Sequence, residues 1–285
     1  MDHIPVLQKE VIEYLDPKPN ENFIDCTIGE GGHTSAILER TKPNGKVLGI
    51  DFNLRIKNHE RLVLAEDNFT NLKEIVEKTK FGKADGVLID LGMSSWHLEE
   101  SGRGFSFQKQ ELLDMRYSVE NQLTAEKIVN FWSALEIEKI LTDFGEEKFA
   151  KEIAREIITS RQINPIQNTF QLVGIIKKAT PVWYQSQRIN IATRTFQALR
   201  IAVNDELNNL EKVLPQSLEV LKKDGRIIVI SFHSLEDRII KNFFKQDSLK
   251  ILTKKPVVAS FQEIKINHRA RSAKLRAAVK LCQPL

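Results

Sequence analysis

The segment from Phe23 to Leu38, FIDCTIGEGGHTSAIL, constrains the fold of this 285-residue chain more than any other. Its first residues are apolar and strand-like, its glycines permit a tight turn, and the residues from His33 onward have helical character. In an open parallel sheet, such a turn lies at the carboxyl end of a strand and lets a ligand approach the main chain closely. The segment therefore predicts the first strand, turn and helix of a ligand-binding α/β sheet.

The class of ligand is indicated by Asp51, which ends the next apolar run, KVLGID, twenty positions after Gly31. A carboxylate at this place can accept both hydroxyl groups of a ribose. The glycine spacing is G-x-G-G-H and not the G-x-G-x-x-G that holds a pyrophosphate. The pattern therefore favours S-adenosylmethionine, which has a ribose and no phosphate, over a dinucleotide. Two alternatives stay open: a turn that is glycine-rich for steric reasons alone, and Asp51 as a helix N-cap.

Composition places the chain among ordinary globular proteins, with 41% hydrophobic and 28% charged residues. No apolar run approaches the roughly 20 residues needed to cross a bilayer, and the N-terminal sequence lacks the features of a signal peptide. We therefore expect a cytoplasmic protein with no membrane partner. The only two cysteines, Cys26 and Cys282, are too few and too isolated for a disulfide framework or a zinc site, and no metal is expected.

Charge is distributed unevenly along the chain. Residues 222–285 carry 15 Lys and Arg against 5 Asp and Glu, whereas the preceding residues carry 27 against 33. A basic end of this kind suggests a polyanionic partner, and four of its cations lie close together: Arg269, Arg271, Lys274 and Arg276. A solvated basic tail without a ligand is the open alternative.

The alternation of apolar runs predicts a doubly wound, mostly parallel α/β fold with a helical insertion. Strands are predicted at 23–26, 46–51, 62–65, 84–91 and 226–232, with further β-like pieces at 250–258 and 275–281. Helices are predicted at 6–15, 34–40, 54–60 and 71–80, then at 125–140 and 146–160 within a strand-free stretch from 114 to 179, and at 193–222 with a break near Pro215.

Other polar residues lie where ligands collect in such a fold. Asp90 ends the strand GVLIDLG and precedes a loop that contains Arg103, and His233 follows the strand RIIVISF. A strand-terminal cap is the alternative for Asp90, and a hydrogen-bonded structural residue is the alternative for His233. For Arg194 and Arg200, phosphate binding and intramolecular ion pairing are both open.

Nine motifs, in order over nearly the whole chain, resemble the bacterial family of small-subunit (16S) ribosomal RNA cytosine-N4 methyltransferases. They are HIPVLQKEV, DCTIGEGGHTSAIL, GVLIDLGMSS, RGFSF, LDMR, FGEEKFAKEIAREI, ATRTFQALRIAVNDEL, GRIIVISFHSLEDRIIK and RSAKLR. The resemblance implies a methyltransferase that uses S-adenosylmethionine to modify a cytidine in the decoding region of the small ribosomal subunit. It also implies a Rossmann-like domain, here 1–112 with 190–285, interrupted by a smaller all-helical substrate-recognition domain, here 113–189.

The resemblance also carries the family's cofactor-binding positions onto this sequence. They are Gly31, Gly32, His33, Asp51, Phe69 and Asp90. Phe69 is expected to stack on adenine or to pack under its loop. His97 stands where the family usually has a glutamine that contacts the cofactor. Further departures are Asn190 and Ile191, where His and Pro are usual, and His268 in place of a proline.

Methylation of an exocyclic amine requires hydrogen-bond acceptors that restore the nucleophilicity of a delocalised nitrogen. The loop from Asp90 to Ser95 is the candidate, and the candidate catalytic residues are Asp90, Ser94, Ser95 and His233. The target base must leave its stack, and the RNA-binding candidates are Arg103, Arg194, Arg200, Arg269, Arg271, Lys274 and Arg276. A homodimer is a further expectation. The rival functions are a nicotinamide-dependent oxidoreductase, which would need a pyrophosphate loop, and a non-catalytic RNA-binding or ribosome-assembly protein.

Overall fold

The computed structural model describes residues 4–57 and 59–281, in which seven strands and thirteen α-helices occur. The strands are β1 (Phe23–Asp25), β2 (Val47–Asp51), β3 (Leu62–Glu66), β4 (Ala84–Asp90), β5 (Leu221–Ser231), β6 (Leu249–Ile251) and β7 (Lys274–Lys280). The helices are α1 (Gln8–Leu15), α2 (Gly32–Arg40), α3 (Leu72–Lys78), α4 (Ser95–Glu99), α5 (Ala125–Phe131), α6 (Ala134–Asp143), α7 (Ala150–Ile163), α8 (Thr169–Ala179), α9 (Val182–Gln185), α10 (Ala192–Asn204), α11 (Glu206–Val220), α12 (Ser234–Phe243) and α13 (Phe261–Ile266).

The seven strands form one sheet in the order β3-β2-β1-β4-β5-β7-β6. Strands β1 to β5 are parallel, and β7 is antiparallel to both β5 and β6. After β1 the chain builds outward through β2 and β3 on one side, and then returns to add β4 and β5 on the other. The switch point therefore lies between β1 and β4, where a ligand-binding crevice forms at the carboxyl ends of the strands.

The sheet is buried because apolar side chains leave both of its faces. Phe23 packs with Val11 of α1 and Ile37 of α2 on one face, and its neighbour Ile24 packs with Leu72 and Leu210 of α3 and α11 on the other. Alternation along a strand produces this division, because successive side chains point to opposite faces. Burial on both faces explains why the strands read as continuous apolar runs and not as alternating ones.

The chain divides into two compact units, one formed by residues 1–92 with 207–285 and the other by residues 93–206. The second unit is helical, and its core combines side chains from α5, α6, α7, α8 and α10. Thr124 caps the first turn of α5, and Ser133 with Glu136 and Asn168 with Gln171 form capping boxes at α6 and α8. Among the described residues, no helix combines the length and apolar character that a bilayer span requires.

The predicted parallel α/β sheet and its helical insertion are confirmed, but four local predictions need correction. The predicted helix 125–140 is two helices, α5 and α6, with Trp132 and Ser133 between them. The described residues of the stretch 54–60, which excludes Asn58, contain no helix. The long helix after residue 192 breaks at Asp205, which has φ 53°, and Pro215 lies inside α11. The helical unit is also longer than the predicted 113–189, because Phe105 and Phe196 belong to its core. Cys282, the second of the two cysteines, lies outside the described residues.

Candidate active site at the carboxyl edge of the sheet

The turn between β1 and α2 is held by the carboxylate of Asp51. Gly29 and Gly31 adopt φ of 50° and 78°, which side chains disfavour, so the glycines are required by the backbone. The Gly29 N–H donates to Asp51 Oδ2 at 2.9 Å, and the Asn53 N–H donates to Oδ1 at 3.3 Å. These bonds orient Asp51 at the end of β2, beside the glycine turn, as the sequence predicted for a ribose-binding carboxylate.

Burial raises the pKa of Asp51, while the main-chain N–H groups of Gly29, Asn53 and Phe52 oppose that shift. The N-cap alternative for Asp51 does not describe the structure, since the described residues after it form bends and no helix. The carboxylate instead serves the turn after β1. Its remaining lone pairs are available to hydroxyl donors such as those of a ribose.

Close approach explains two of the glycines. A Cβ at Gly31 would lie 2.0 Å from Ile56 Cδ1, and a Cβ at Gly32 would lie 2.2 Å from Pro5 Cγ. Both distances are far below any contact that carbon atoms tolerate. The glycines therefore make room for side chains from two other segments as well as for the turn itself.

Asp25, at the end of β1, is a functional candidate that the sequence analysis missed. It is 1% exposed and accepts hydrogen bonds from Thr34 Oγ1 at 2.7 Å and from the Thr27 N–H at 3.2 Å. Burial raises the pKa of Asp25, and Asp90 raises it further, whereas His33 lowers it. The available signal was its position, because Asp25 ends an apolar strand just as Asp51 and Asp90 do.

Thr27 connects Asp25 to Asp90 across the switch point. Its hydroxyl oxygen accepts a hydrogen bond from the Asp90 N–H at 2.7 Å while its own N–H donates to Asp25. Asp90 Oδ1 in turn accepts from the Gly92 N–H at 3.0 Å. The carboxyl ends of β1 and β4 thus carry two carboxylates in one hydrogen-bonded network.

His33, the second residue of α2, lies next to this network and is 7% exposed. Its Nε2 is 3.6 Å from Asp90 Oδ2, and neither ring nitrogen has a hydrogen-bond partner within residues 4–57 and 59–281. Buried polar groups are nearly always satisfied. Two unsatisfied nitrogens on one imidazole therefore indicate a place where a ligand supplies the missing partner.

Phe69 opens a short 3-10 turn after β3 and packs partly against the core cluster of α3 and α11, as its packing alternative predicts. The Asp67 N–H donates to the Asp51 carbonyl at 3.1 Å, so this turn starts next to the end of β2. Cys26 is also buried, which raises the pKa of its thiol well above the usual value. Cys26 is therefore a packing residue behind the turn.

The candidates of the helical unit form a separate cluster around α4. Ser94 is the N-cap of this helix, and its Oγ lies 2.7 Å from His97 Nδ1. The His97 ring meets the rings of Trp96, Phe105 and Tyr117 edge-on at centroid distances of 5.0 to 5.2 Å. His97 is thus held in an aromatic cluster of its own unit. Ser95 is the first residue of the helix.

His233 has a structural role that its sequence alternative described. It is the N-cap of α12, and its Nδ1 accepts from the Glu236 N–H at 3.4 Å. Glu236 Oε2 accepts from the Phe232 and His233 N–H groups, and His233 Nε2 lies 3.0 Å from Glu236 Oε1. This reciprocal capping explains both the burial and the orientation of the imidazole, so its catalytic role stays a prediction.

Four arginines predicted to bind RNA have partners within the protein. Arg276 is 7% exposed and forms a bidentate pair with Asp237, with contacts of 2.7 and 3.2 Å. Arg200 forms a bidentate pair with Glu206 at 2.8 and 3.0 Å. These two predictions need correction, because Arg276 is buried, Arg200 is largely covered with a side chain that is 13% exposed, and the charge of each is already paired with a carboxylate.

Main-chain carbonyls hold the other two arginines. Arg103 donates to the carbonyls of Arg116 and Tyr117 and lies over the Trp96 ring, and Arg194 donates to the Glu146 carbonyl at 2.8 Å. Their guanidinium groups thus stabilise main-chain segments of the helical unit. Ion pairing was the alternative predicted for Arg194, and the structure shows a hydrogen bond to the Glu146 carbonyl.

The remaining basic candidates lie at or near the surface. Arg271 is exposed, Arg269 is partly exposed, and Lys274 lies 3.8 Å from Asp237 Oδ2 with a side chain that is 35% exposed. Arg269 and Arg271 belong to a short 3-10 turn that leads into β7. Of the C-terminal cluster, these three retain the exposure that a phosphate contact needs.

The fold and these side chains define a Rossmann-like protein with a crevice for a ribose-bearing cofactor that has no pyrophosphate. The sheet order places the crevice, the Asp51 carboxylate has acceptor capacity that suits a ribose, and both buried nitrogens of His33 lack a hydrogen-bond partner among the described residues. The residues present therefore fit S-adenosylmethionine.

Comparison with known proteins identifies the family. Residues 1–281 match the MraW methylase family, so the chain belongs to that family. The chain is 42% identical to the Ribosomal RNA small subunit methyltransferase H of Heliobacterium mobile, over 98% of this chain and 99% of that protein. It is 44% identical to the protein of the same name from Kosmotoga olearia, over 98% and 97%. The chain is thus a methyltransferase, with S-adenosylmethionine as its cofactor.

Solved structures give more distant similarities. A putative rRNA-methylase from Clostridium thermocellum has 12% identity and a TM-score of 0.45 over 99% of both chains. A putative methyltransferase from Streptococcus mutans in complex with SAH has 13% identity and a TM-score of 0.45, over 98% of this chain and 100% of that one. Neither similarity adds to the family assignment.

Proposed function

We propose that the protein methylates the exocyclic N4 amine of a cytidine in the decoding region of small-subunit (16S) ribosomal RNA. The observation that carries the proposal is the buried, unsatisfied His33 beside Asp90 at the switch point, with Asp51 at the adjacent strand end. The substrate is supported by the relatives, which are named as methyltransferases of the small ribosomal subunit, and by the ordered motifs of the chain.

The residues of the crevice would divide the work as follows. Asp51 would accept hydrogen bonds from the ribose hydroxyls, and His33 would supply a hydrogen-bonding group from a buried position. S-adenosylmethionine supplies an electrophilic methyl group when it is bound. Asp90 keeps acceptor capacity on Oδ2, because its Oδ1 is the atom that receives the Gly92 N–H.

The target amine needs acceptors that orient it and restore the lone pair of its nitrogen. We assign this role to the loop from Asp90 to Ser95, with Asp90 and Ser94 as acceptors and Ser95 as a further candidate. Ser94 Oγ contacts His97 Nδ1, so His97 would set the orientation of that hydroxyl. His233 remains a candidate at the neighbouring strand end.

Nucleoside mass spectrometry of 16S ribosomal RNA tests the proposed reaction. Cells that lack the gene should lose N4-methylated cytidine. Expression of the wild-type chain should restore this nucleoside, whereas expression of the Asp90→Ala variant should not restore it. An unchanged modification in the deletion strain would refute the assignment of base and atom. Purified enzyme tested on naked RNA and on small subunits will show which of the two is the substrate.

Single-turnover rates test the individual residues. Ser94→Ala, Ser95→Ala and His233→Ala should each slow methyl transfer at saturating cofactor, and a thermal melt should accompany His233→Ala because this change also removes a helix cap. Unchanged rates in all three would remove the proposed roles of these side chains.

The proposal also assigns the small ribosomal subunit as partner, the cytoplasm as location and a homodimer as assembly. Sedimentation of the purified chain tests the last of these. A single species at the monomer mass of 32.7 kDa would contradict the dimer.

A further inference from the structure

Trp183 stands out in the helical unit because a large aromatic ring is displayed on a well-fixed support. The residue is 56% exposed, and its neighbour Val182 is 78% exposed. The next residue, Tyr184, is only 5% exposed, and its hydroxyl donates to Glu147 Oε1 at 2.7 Å. Gln185 Nε2 donates to the carbonyls of Lys177 and Thr180. The short helix α9 is thereby anchored by the two residues that follow the exposed indole.

The surroundings of the indole are aromatic and cationic. Phe149 and Tyr184 each meet the Trp183 ring edge-on at a centroid distance of 5.8 Å. Lys148 Nζ lies 5.9 Å from the centre of the same ring. Edge-on neighbours fix the plane of a ring, and an ammonium above it adds a cation–π contact. The arrangement therefore presents a rigid aromatic surface with a positive charge next to it.

The sequence around this ring is depleted of negative charge. From residue 157 to residue 204 the chain has no Asp or Glu and six Lys or Arg, which are Arg161, Lys177, Lys178, Arg188, Arg194 and Arg200. Lys177, Lys178 and Arg188 are exposed and flank α9 along the chain. Lys178 pairs with Glu156 at 2.7 Å. Lys148 lies outside this stretch and follows Glu146, which is exposed, and Glu147, which is 5% exposed and whose carboxylate accepts the Tyr184 hydroxyl.

We propose that Trp183, Lys148 and Arg188 form a binding site for single-stranded RNA, in which an unpaired base stacks on the indole and the two cations contact flanking phosphates. This inference rests on the proposed function, because it supplies a second grip on the RNA whose cytidine is methylated. Aromatic side chains recognise bases that lie outside a helix, and adjacent cations track the backbone. Charge complementarity selects RNA over an apolar protein partner.

Fluorescence titration with a short single-stranded oligocytidylate tests the site. Binding should quench the tryptophan emission of the wild-type enzyme, and Trp183→Ala should remove most of that quenching and weaken binding by about tenfold. Trp183→Phe should restore most of the affinity, because a phenyl ring also stacks. Lys148→Ala should keep the quenching and lower the slope of log affinity against log salt by about 0.7.

Phe131→Ala is the matched control, because Phe131 is 80% exposed in the same unit and lies outside the acid-free stretch. It should bind the oligonucleotide like the wild type. Calorimetric titration with S-adenosylmethionine checks that each variant is folded, and affinities for the cofactor should be unchanged.

Equal affinity of the wild type and Trp183→Ala for the oligonucleotide would overturn the site, as would equal weakening by Phe131→Ala. Quenching by intact small subunits but not by RNA would also overturn it and would indicate a protein contact. These failures are distinct from failure of the proposed function, because methyl transfer by the wild-type enzyme to the small subunit is measured separately.

Discussion

Replacement of Arg276 distinguishes a structural ion pair from an RNA contact. Arg276 lies on β7 and forms a bidentate pair with Asp237 of α12, and the two side chains are 8% and 15% exposed. Arg276→Ala leaves the Asp237 carboxylate without its main partner in a largely dry place. The remaining cation, Lys274, is 3.8 Å away and compensates only in part.

The size of the effect follows from this burial. Breaking a buried ion pair by removing one partner costs about 3 to 5 kcal/mol, and partial exposure of Asp237 with the nearby Lys274 places this pair near the lower value, about 3 kcal/mol. The sheet unit contains about 170 residues. For that size, each kcal/mol lowers the melting temperature by about 2 to 4 °C, so we expect a fall of about 6 to 12 °C.

Differential scanning calorimetry measures this fall, and Arg271→Ala serves as the control. Arg271 is exposed, so its replacement should change stability by less than about 0.5 kcal/mol while weakening RNA binding in a salt-dependent way. The double variant Arg276→Met with Asp237→Leu should recover much of the lost stability, because the only charge left without a partner is that of Lys274, whose side chain is 35% exposed. A melting temperature within 2 °C of the wild type for Arg276→Ala, together with reduced RNA affinity, would refute the buried-pair argument.

Three further predictions follow from the same contacts. Gly31→Ala should lower the free energy of unfolding by about 1 to 2 kcal/mol because of its φ of 78°, and by more because the new methyl group would clash with Ile56. In thermal melts, the Ile56→Ala background should recover only the part of the stability that the clash removes. Full recovery would contradict the backbone argument. Burial raises the pKa of Asp51, so affinity for S-adenosylmethionine, measured by calorimetry, should fall as the pH is lowered through a value above 3.8, whereas Asp51→Asn should bind weakly without that dependence. The folded protein holds the Asp51 proton more tightly than the unfolded chain, so this group should make stability decrease as the pH rises through the same interval. Burial and Glu147 raise the pKa of Tyr184 to about 12. Tyr184→Phe should therefore lose the absorbance change of that ionisation, and it should lower the free energy of unfolding by about 1 to 3 kcal/mol because the hydrogen bond to Glu147 is removed. An unchanged absorbance titration would show that Tyr184 is not the group that titrates at this pH.

Most strands of the sheet and part of the ligand-binding crevice could be predicted from the sequence. The apolar runs gave the strands because both faces of a parallel sheet are buried, and the glycine turn with Asp51 and Asp90 located the ligand edge. Asp25 was missed because an aspartate inside an apolar motif gives no sign of its partners. Its bonds to Thr34 and Thr27 become visible only once α2 is folded over the end of β1.

The basic residues show where prediction from the sequence failed. Arg276 lies in the segment RSAKLR, which reads as a positive cluster, yet it is part of β7, which pairs with β5 and is buried on both faces of the sheet. Arg276 thereby meets Asp237, while Arg271, five positions earlier, remains exposed in the turn before the strand. Charge density along a chain does not reveal which cations are already paired.

The amino-acid sequence by itself determined the order of the strands and helices, the glycine turn and the carboxylates that end the strands, because these depend on local propensity and short spacings. Only the tertiary structure decided which polar groups find partners. His233 is used to cap a helix and Arg276 is paired with Asp237, whereas His33 is buried with both nitrogens unsatisfied. The His233 cap is a local contact with Glu236, whereas the Arg276–Asp237 pair and the placement of His33 beside Asp90 join residues far apart in the chain and exist only after the sheet has assembled.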